Sequence, residues 1–219
     1  MKMKIFNLFL ISAITMSFMG VQAQTDAKAK DILDRLSVKT KAYKSIKADF
    51  NYTLDNKADG INETQSGSIA IKGSKYLLKI AGQEIRSDGK AIWTYLKDAE
   101  EVQITEVDES NENNITPTKI FTMYEKGFRH EFIKDETVGS TVTSIVNIYP
   151  LDLDEKSYHT VSLYIDKTKL EITKIVILGK EGDVYTYKIK SFQPNAVIDD
   201  AEFVFNKSKY PGVEIVDLR

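Results

Sequence analysis

The 219-residue sequence predicts a mainly-β (α+β) fold built on one large antiparallel sheet with two helical pieces. Three observations predict it. From Ala48 onward, large apolar residues recur at every second position with polar residues between them, the pattern of strands that have one wet face. Clusters of Gly, Asn and Asp punctuate these runs at hairpin spacing. The runs number about eleven or twelve, and an antiparallel sheet of that size curls into a barrel or partial barrel.

Residues 1–23 read as a cleaved signal peptide. Lys2 and Lys4 form a positive start, residues 5–20 an apolar core, and Val21-Gln22-Ala23 a small-x-small cleavage site. Asn7, Ser12, Thr15 and Ser17 interrupt a core already short for a membrane span of about 20 residues. The expected division is therefore a leader, 1–23, and one exported domain, 24–219. Without the two leader lysines, 28 basic residues face 32 acidic ones, a net charge of −4. That balance argues against nucleic acid or an anionic membrane as the main partner. Cysteine is absent, so the core must hold without disulfides, and a lipidated export signal has no residue to carry its lipid.

The first element after the leader is helical. Ala29, Ile32, Leu33, Leu36 and Tyr43 fall near helical spacing, with Thr25 or Asp26 as the expected cap. The period then changes to two: Phe50, Tyr52 and Leu54, then Ile69 and Ile71, then Tyr76, Leu78 and Ile80. Asp88-Gly89 marks a tight turn before a strand with Trp93 and Tyr95, and Val102 and Ile104 follow on the next. After a loop rich in acid and amide, residues 117–126 predict a short helix, opened by Pro117 and closed by Gly127. Strands resume at 128–136, 141–149, 160–165, 170–178 and 184–192.

No catalytic constellation assembles. His130 and His159 are isolated, no metal-ligand spacing occurs, and no nucleophile elbow or phosphate-binding loop is present. No catalytic residue, metal or cofactor is therefore expected. What stands out is apolar and aromatic content assigned to one face: Phe50, Tyr52, Leu54, Ile69, Ile71, Tyr76, Leu78, Ile80, Trp93, Tyr95, Val102 and Ile104. Two readings fit it, an ordinary packed core or a partly empty barrel that accepts an apolar ligand. The helical pieces favour the second, with Leu33, Leu36, Ile120, Phe121 and Tyr124 as the covering lid.

The run Ser87-Asp88-Gly89-Lys90-Ala91-Ile92-Trp93-Thr94-Tyr95 resembles the core signature of the LolA-type outer-membrane lipoprotein carriers. Ile46-Lys47-Ala48-Asp49-Phe50, Gly67-Ser68-Ile69-Ala70-Ile71-Lys72 and the ending Phe203-Val204-Phe205 with Pro211-Gly212-Val213-Glu214-Ile215 are similar to further family segments, in the family's order. The resemblance implies an open barrel of about eleven antiparallel strands with an α-helical lid. It also implies a periplasmic monomer that takes lipoproteins by their acyl chains from an inner-membrane ATP-driven complex to an outer-membrane acceptor. Carriers of another amphiphile, such as a glycolipid or fatty acid, and interaction modules without lipid share that expectation of fold. One departure stands out. The family's lid-latching arginine has no counterpart, because the corresponding loop reads Lys72-Gly73-Ser74-Lys75. A lysine there is a point charge without arginine's planar fork.

Overall fold

The computed structural model describes residues 16–108, 127–154 and 156–219, with side chains from residue 26 onward. Its strands run in two antiparallel meanders. The first comprises β1 (Ile46–Asn56), β2 (Ile61–Lys72), β3 (Lys75–Ile80), β4 (Gln83–Ser87), β5 (Ala91–Leu96) and β6 (Glu101–Glu106). The second comprises β7 (Phe128–Val138), β8 (Thr141–Pro150), β9 (Tyr158–Asp166), β10 (Glu171–Gly179) and β11 (Val184–Pro194). β1 pairs with β11, joining the two meanders and a last strand, β12 (Glu214–Asp217), into one sheet of order β12-β6-β5-β4-β3-β2-β1-β11-β10-β9-β8-β7. An up-and-down barrel of this order would close by pairing β6 with β7. Here that seam is open, and β12 lies against β6 instead. The expected open, mainly-β barrel with a helical element is thus observed.

Two details differ from the sequence reading. The pairing of β12 with β6 is parallel, which local alternation cannot reveal because it depends on where a distant tail returns. The helix α1 (Met16–Lys41) runs through the expected leader boundary and does not start at Thr25 or Asp26. No proline lies between residues 16 and 41 to stop it earlier. The second expected helix, 117–126, lies outside the described residues.

Register defines two faces. Ile46, Ala48, Phe50, Tyr52 and Leu54 of β1 face the same way as Ile69 and Ile71 of β2, since Ile46 pairs with Ile71 and Ala48 with Ile69. On the other side of β1, Tyr52 pairs with Tyr187, Tyr187 with Ile175, Ile175 with Leu163, and Leu163 with Val146. We call this the inner face, because α1 packs on it. Ala29, Ile32, Leu33 and Leu36, one stripe of the helix, are buried against Val146, Ile148, Val161, Leu163, Ile165, Ile172 and Ile175. Each large side chain so buried contributes about 1.5–3 kcal/mol as an upper estimate. Ion pairs fix both ends of that stripe: Lys28 to Asp135 at 3.4 Å, and Lys39 to Glu171 at 3.2 Å.

The outer face of β1–β5 carries a strap, residues 195–213. Phe203 is completely buried there with Ala70, Leu77 and Ile198. Asp199 caps the 3-10 turn Asp200–Phe203 by accepting from the Ala201 N–H. Cations projecting outward hold the strap: Lys72 and Lys75 reach the Asp200 carboxylate at 2.7 and 2.9 Å, and Lys47 reaches Glu202 at 3.5 Å. Further along, the Tyr210 hydroxyl donates to Glu84 at 2.9 Å and accepts from Arg86 at 3.0 Å, and its ring packs on Tyr95 at 4.7 Å.

Two of these carboxylates titrate low. Hydrogen bonds from Lys72 and Lys75 lower Asp200. Burial alone would raise Glu84, but hydrogen bonds from Tyr210 and Arg86 outweigh it and hold the group below its ordinary value. A carboxylate lowered in the folded state stabilises that state above its unfolded pKa of about 4, and the contribution disappears as pH falls through the lowered value. Hydrogen exchange, corrected for intrinsic rates, should therefore show residues 196–213 protected at pH 7 and losing protection towards pH ~3. The double variant Asp200→Asn/Glu84→Gln should exchange fast in this segment at both values. Equal protection of the native strap at both pH values would contradict the assignment.

Candidate functional site

The family-like run 87–95 builds a turn. The Asp88 carboxylate accepts the N–H groups of Lys90 and Ala91 at 2.8 and 2.9 Å, and the Ser87 hydroxyl accepts that of Gly89 at 3.1 Å. Gly89 sits at φ 92°, where a side chain is strained and would also meet the Ser74 hydroxyl. Burial alone would raise Asp88, but the hydrogen bonds from Ala91 and Lys90 keep it low and ionised. The signature thus fixes the β4–β5 hairpin and with it the register of everything beyond.

That register divides the expected lining between both faces. Phe50, Tyr52, Leu54, Ile69, Ile71, Tyr76, Leu78 and Ile80 share the inner face. Tyr76 pairs with Ser87 and Ser87 with Ile92, so the inner face continues through Ile92, Thr94 and Leu96. Trp93, Tyr95, Val102 and Ile104 lie on the outer face, where Tyr95 meets the strap and Val102 is buried beside β12. Alternation within each strand taken alone assigns all twelve to one face. β5 carries large apolar groups on both sides, and β4 offers one apolar residue among polar ones, so no alternation links β3 to β5. Ile46, Ile85, Ile92, Leu96, Tyr185, Tyr187, Ile189 and Phe192 are further inner-face residues; pairing Tyr76 with Ser87 across the Ala81-Gly82 turn, and Ser87 with Ile92 across the Asp88-Gly89 turn, is the signal that finds Ile85, Ile92 and Leu96.

Leu33 and Leu36 are each 2 % exposed and belong to the core between α1 and β8–β10. Ile120, Phe121 and Tyr124 lie outside the described residues. Lys72 and Lys75, in the loop where the family carries its latch, hold Asp200 of the strap.

The inner face has a covered half and an open half. Under α1, the side chains of β8–β10 are buried. Across β1–β4 the inner face has a smaller buried cluster of its own, Ile46, Ile71 and Tyr76, and the row Ile69–Leu78–Ile85 packs against it half-buried, as Tyr52, Leu54 and Ile80 also are. Between the halves stand Tyr52, Tyr185 and Tyr187, with Tyr52 5.2 Å from Tyr187 and 6.4 Å from Tyr185. Burial first, and then neighbouring Tyr52 and Tyr185, push the Tyr187 hydroxyl up to about 12, so it stays neutral. The Phe50 ring lies across Gly67, where a Cβ would come within 2.6 Å of it. The outer face is different: its groove of about 440 Å³ is lined by Asp49, Ser66, Ser68, Lys79, Glu84 and Tyr95, a mostly polar and charged set.

Among the described residues no three His, Asp or Glu side chains converge to hold a metal, and no helix is long and apolar enough to cross a membrane. His159 Nδ1 lies 2.8 Å from the Thr160 hydroxyl, an ordinary local contact.

The family model described as outer membrane lipoprotein carrier protein LolA matches residues 19–175. The chain belongs to this family. The match spans α1 to the middle of β10, including both the helix-covered and the open parts of the inner face. An uncharacterised conserved protein from Thermus thermophilus shares the fold at 13% identity and a TM-score of 0.55, covering 87% of this chain and 99% of that one. Two other matching structures are more distant. The lipoprotein LppX of Mycobacterium tuberculosis has 14% identity, a TM-score of 0.46 and coverage of 78% and 98%. A LolA superfamily protein from Nitrosomonas europaea has 12% identity, a TM-score of 0.42 and coverage of 81% and 97%. No curated protein matches the sequence.

The Phe50–Gly67 contact is a test of how the open half is shaped. Gly67→Val should force the Phe50 ring off its site and destabilise the protein by about 1–3 kcal/mol, the usual cost of overpacking. Urea unfolding midpoints measure this. A stability equal to that of the native chain would mean that the ring does not rest on Gly67.

Proposed function

We propose that this protein is an exported carrier that shelters the acyl chains of lipoproteins on its inner face and moves them from the inner to the outer membrane. The observation that supports this most is the half-buried apolar row Ile69–Leu78–Ile85, which flanks a sheet left open between β6 and β7. The row packs against the buried cluster Ile46, Ile71 and Tyr76 and extends that cluster as a contiguous apolar margin of the inner face. Membership of the lipoprotein carrier family supports the same reading. The inner-face set extends from Phe50, Tyr52 and Leu54 through Ile69, Ile71, Tyr76, Leu78 and Ile80. The leader 1–23 would direct export of the domain 24–219, and cleavage after Ala23 leaves the packing stripe Ala29–Leu36 of α1 intact.

Magnitudes explain why the shelter is incomplete. Each methylene withdrawn from water contributes about 0.8 kcal/mol, so two or three acyl chains represent tens of kcal/mol. Measured affinities end near roughly −18 to −21 kcal/mol, and a carrier that tight would not release its cargo. A row of half-exposed side chains gives partial burial, compatible with receipt from an ATP-driven inner-membrane complex and delivery to an outer-membrane acceptor. Leu33 and Leu36 hold α1 as a fixed wall, which leaves 117–126, with Ile120, Phe121 and Tyr124, as the candidate lid.

Leu78→Glu should test this at the centre of the row. It sets a charge where the chains would lie, and release of lipoproteins from spheroplasts should fall about tenfold or more. Lys97→Glu, on an exposed turn, serves as the control and should release normally. Normal release by folded Leu78→Glu would contradict the carrier reading. It would favour an interaction module on the same fold, and co-purified glycolipid or fatty acid would point to another amphiphile.

A further inference from the structure

The charges of the β1–β6 half are sorted by face. Its strands contain five cations: Lys47, Lys72, Lys75, Lys79 and Arg86. Each occupies an outer-face position in the register, since Lys47 pairs with Ala70, Lys72 with Lys75, Lys79 with Ser68 and Arg86 with Trp93. Their partners are also outside: Glu202, Asp200, Glu84 and Tyr210. The charged residues at inner-face positions of the same six strands are Glu63 and Glu101, both anions. A ligand on this face therefore meets no cation from β1–β6.

The inner face is also graded in polarity. The apolar row Ala48–Ile69–Leu78–Ile85 passes into Thr94 and Gln103. The neighbouring row ends at Ile92 and Thr105, and Gln83 borders Leu96 and Glu101 on the other side. Gln83, Thr94, Gln103 and Thr105 are all half-buried, and three of them have no side-chain hydrogen bond within the described protein; Gln103 donates to Glu101 at 2.8 Å and keeps its carbonyl free. Uncharged hydrogen-bonding groups thus lie at the end of an apolar surface, with a carboxylate beside them.

We propose that Gln83, Thr94, Gln103 and Thr105 form the head-group end of the site, and that they select an amphiphile whose head is uncharged, bearing ester, amide or hydroxyl groups, over one bearing a phosphate. This rests on the inner face being the acyl-chain site. Hydroxyl and amide side chains donate to ester and amide carbonyls and accept from hydroxyls. A phosphate would lose its hydration without gaining an Arg or Lys partner from β1–β6, and would face Glu101. Specificity follows from what the site withholds as much as from what it offers.

The test uses the full chain and two pyrene-labelled probes with the same acyl chains, dioleoylglycerol and dioleoylphosphatidylglycerol, presented in one neutral detergent. The uncharged probe should bind about tenfold tighter or more. Thr94→Lys, at a half-buried inner-face position, should raise phosphatidylglycerol affinity about tenfold by supplying the missing cation. Gln103→Lys serves the same purpose if the first variant does not fold. Equal or tighter binding of phosphatidylglycerol by the native chain would overturn the head-group inference and leave the acyl-chain site standing. A folded lysine variant with unchanged preference would overturn the placement at β5–β6. Binding of neither probe would overturn both the inference and the carrier reading on which it rests.

Discussion

The pairing of β1 with β11 is the contact on which the structure depends. It joins strands far apart in the chain, Ile46 opposite Pro194 and Asp55 opposite Val184. Without it the chain is two separate meanders, each with a bare edge. With it, the helix-covered core of β8–β10 and the open apolar rows of β1–β4 become one continuous inner surface. Such non-local pairing incurs loop-closure entropy that its own contacts must offset. Those contacts are visible at the join itself, where Phe50, Tyr52, Tyr185 and Tyr187 interlock across both strands.

The same join explains why one half of the inner surface is closed and the other open. α1 is long enough to cover β8–β10, and Lys28 and Lys39 fix its position there. The remaining strands receive their cover from the other side: the strap buries Phe203 against Ala70 and Leu77 on the outer face. The β1–β5 region is thus supported from both sides, by the strap outside and by the buried cluster Ile46, Ile71 and Tyr76 inside, while the inner rows beyond that cluster stay half-buried.

Much of this was legible in the sequence. Alternation through Phe50, Tyr52 and Leu54, the Asp88-Gly89 turn and the stripe Leu33–Leu36 gave the strands, a hairpin and a packed helix, because each depends on neighbours a few residues away. The face of Trp93 and Tyr95 was not legible. It depends on register carried through β4, a five-residue strand with Ile85 as its one apolar group, and one step of parity moves every later side chain across the sheet. Nor could the strap be seen: Lys72 and Lys75 meet Asp200 across more than a hundred residues, and nothing local in the loop marks that partner. The loop's missing arginine is read differently once those lysines are seen to face outward.

The central claim is that acyl chains lie on the inner face of β1–β4 and not on the outer one. Photo-crosslinking measures it most directly, with a benzoylphenylalanine placed at Leu78 on the inner face or at Trp93 on the outer face, in cells exporting lipoproteins. Crosslinks to the acylated N-terminus of lipoproteins are expected from position 78 and none above background from position 93. Crosslinks from 93 with none from 78 would contradict it.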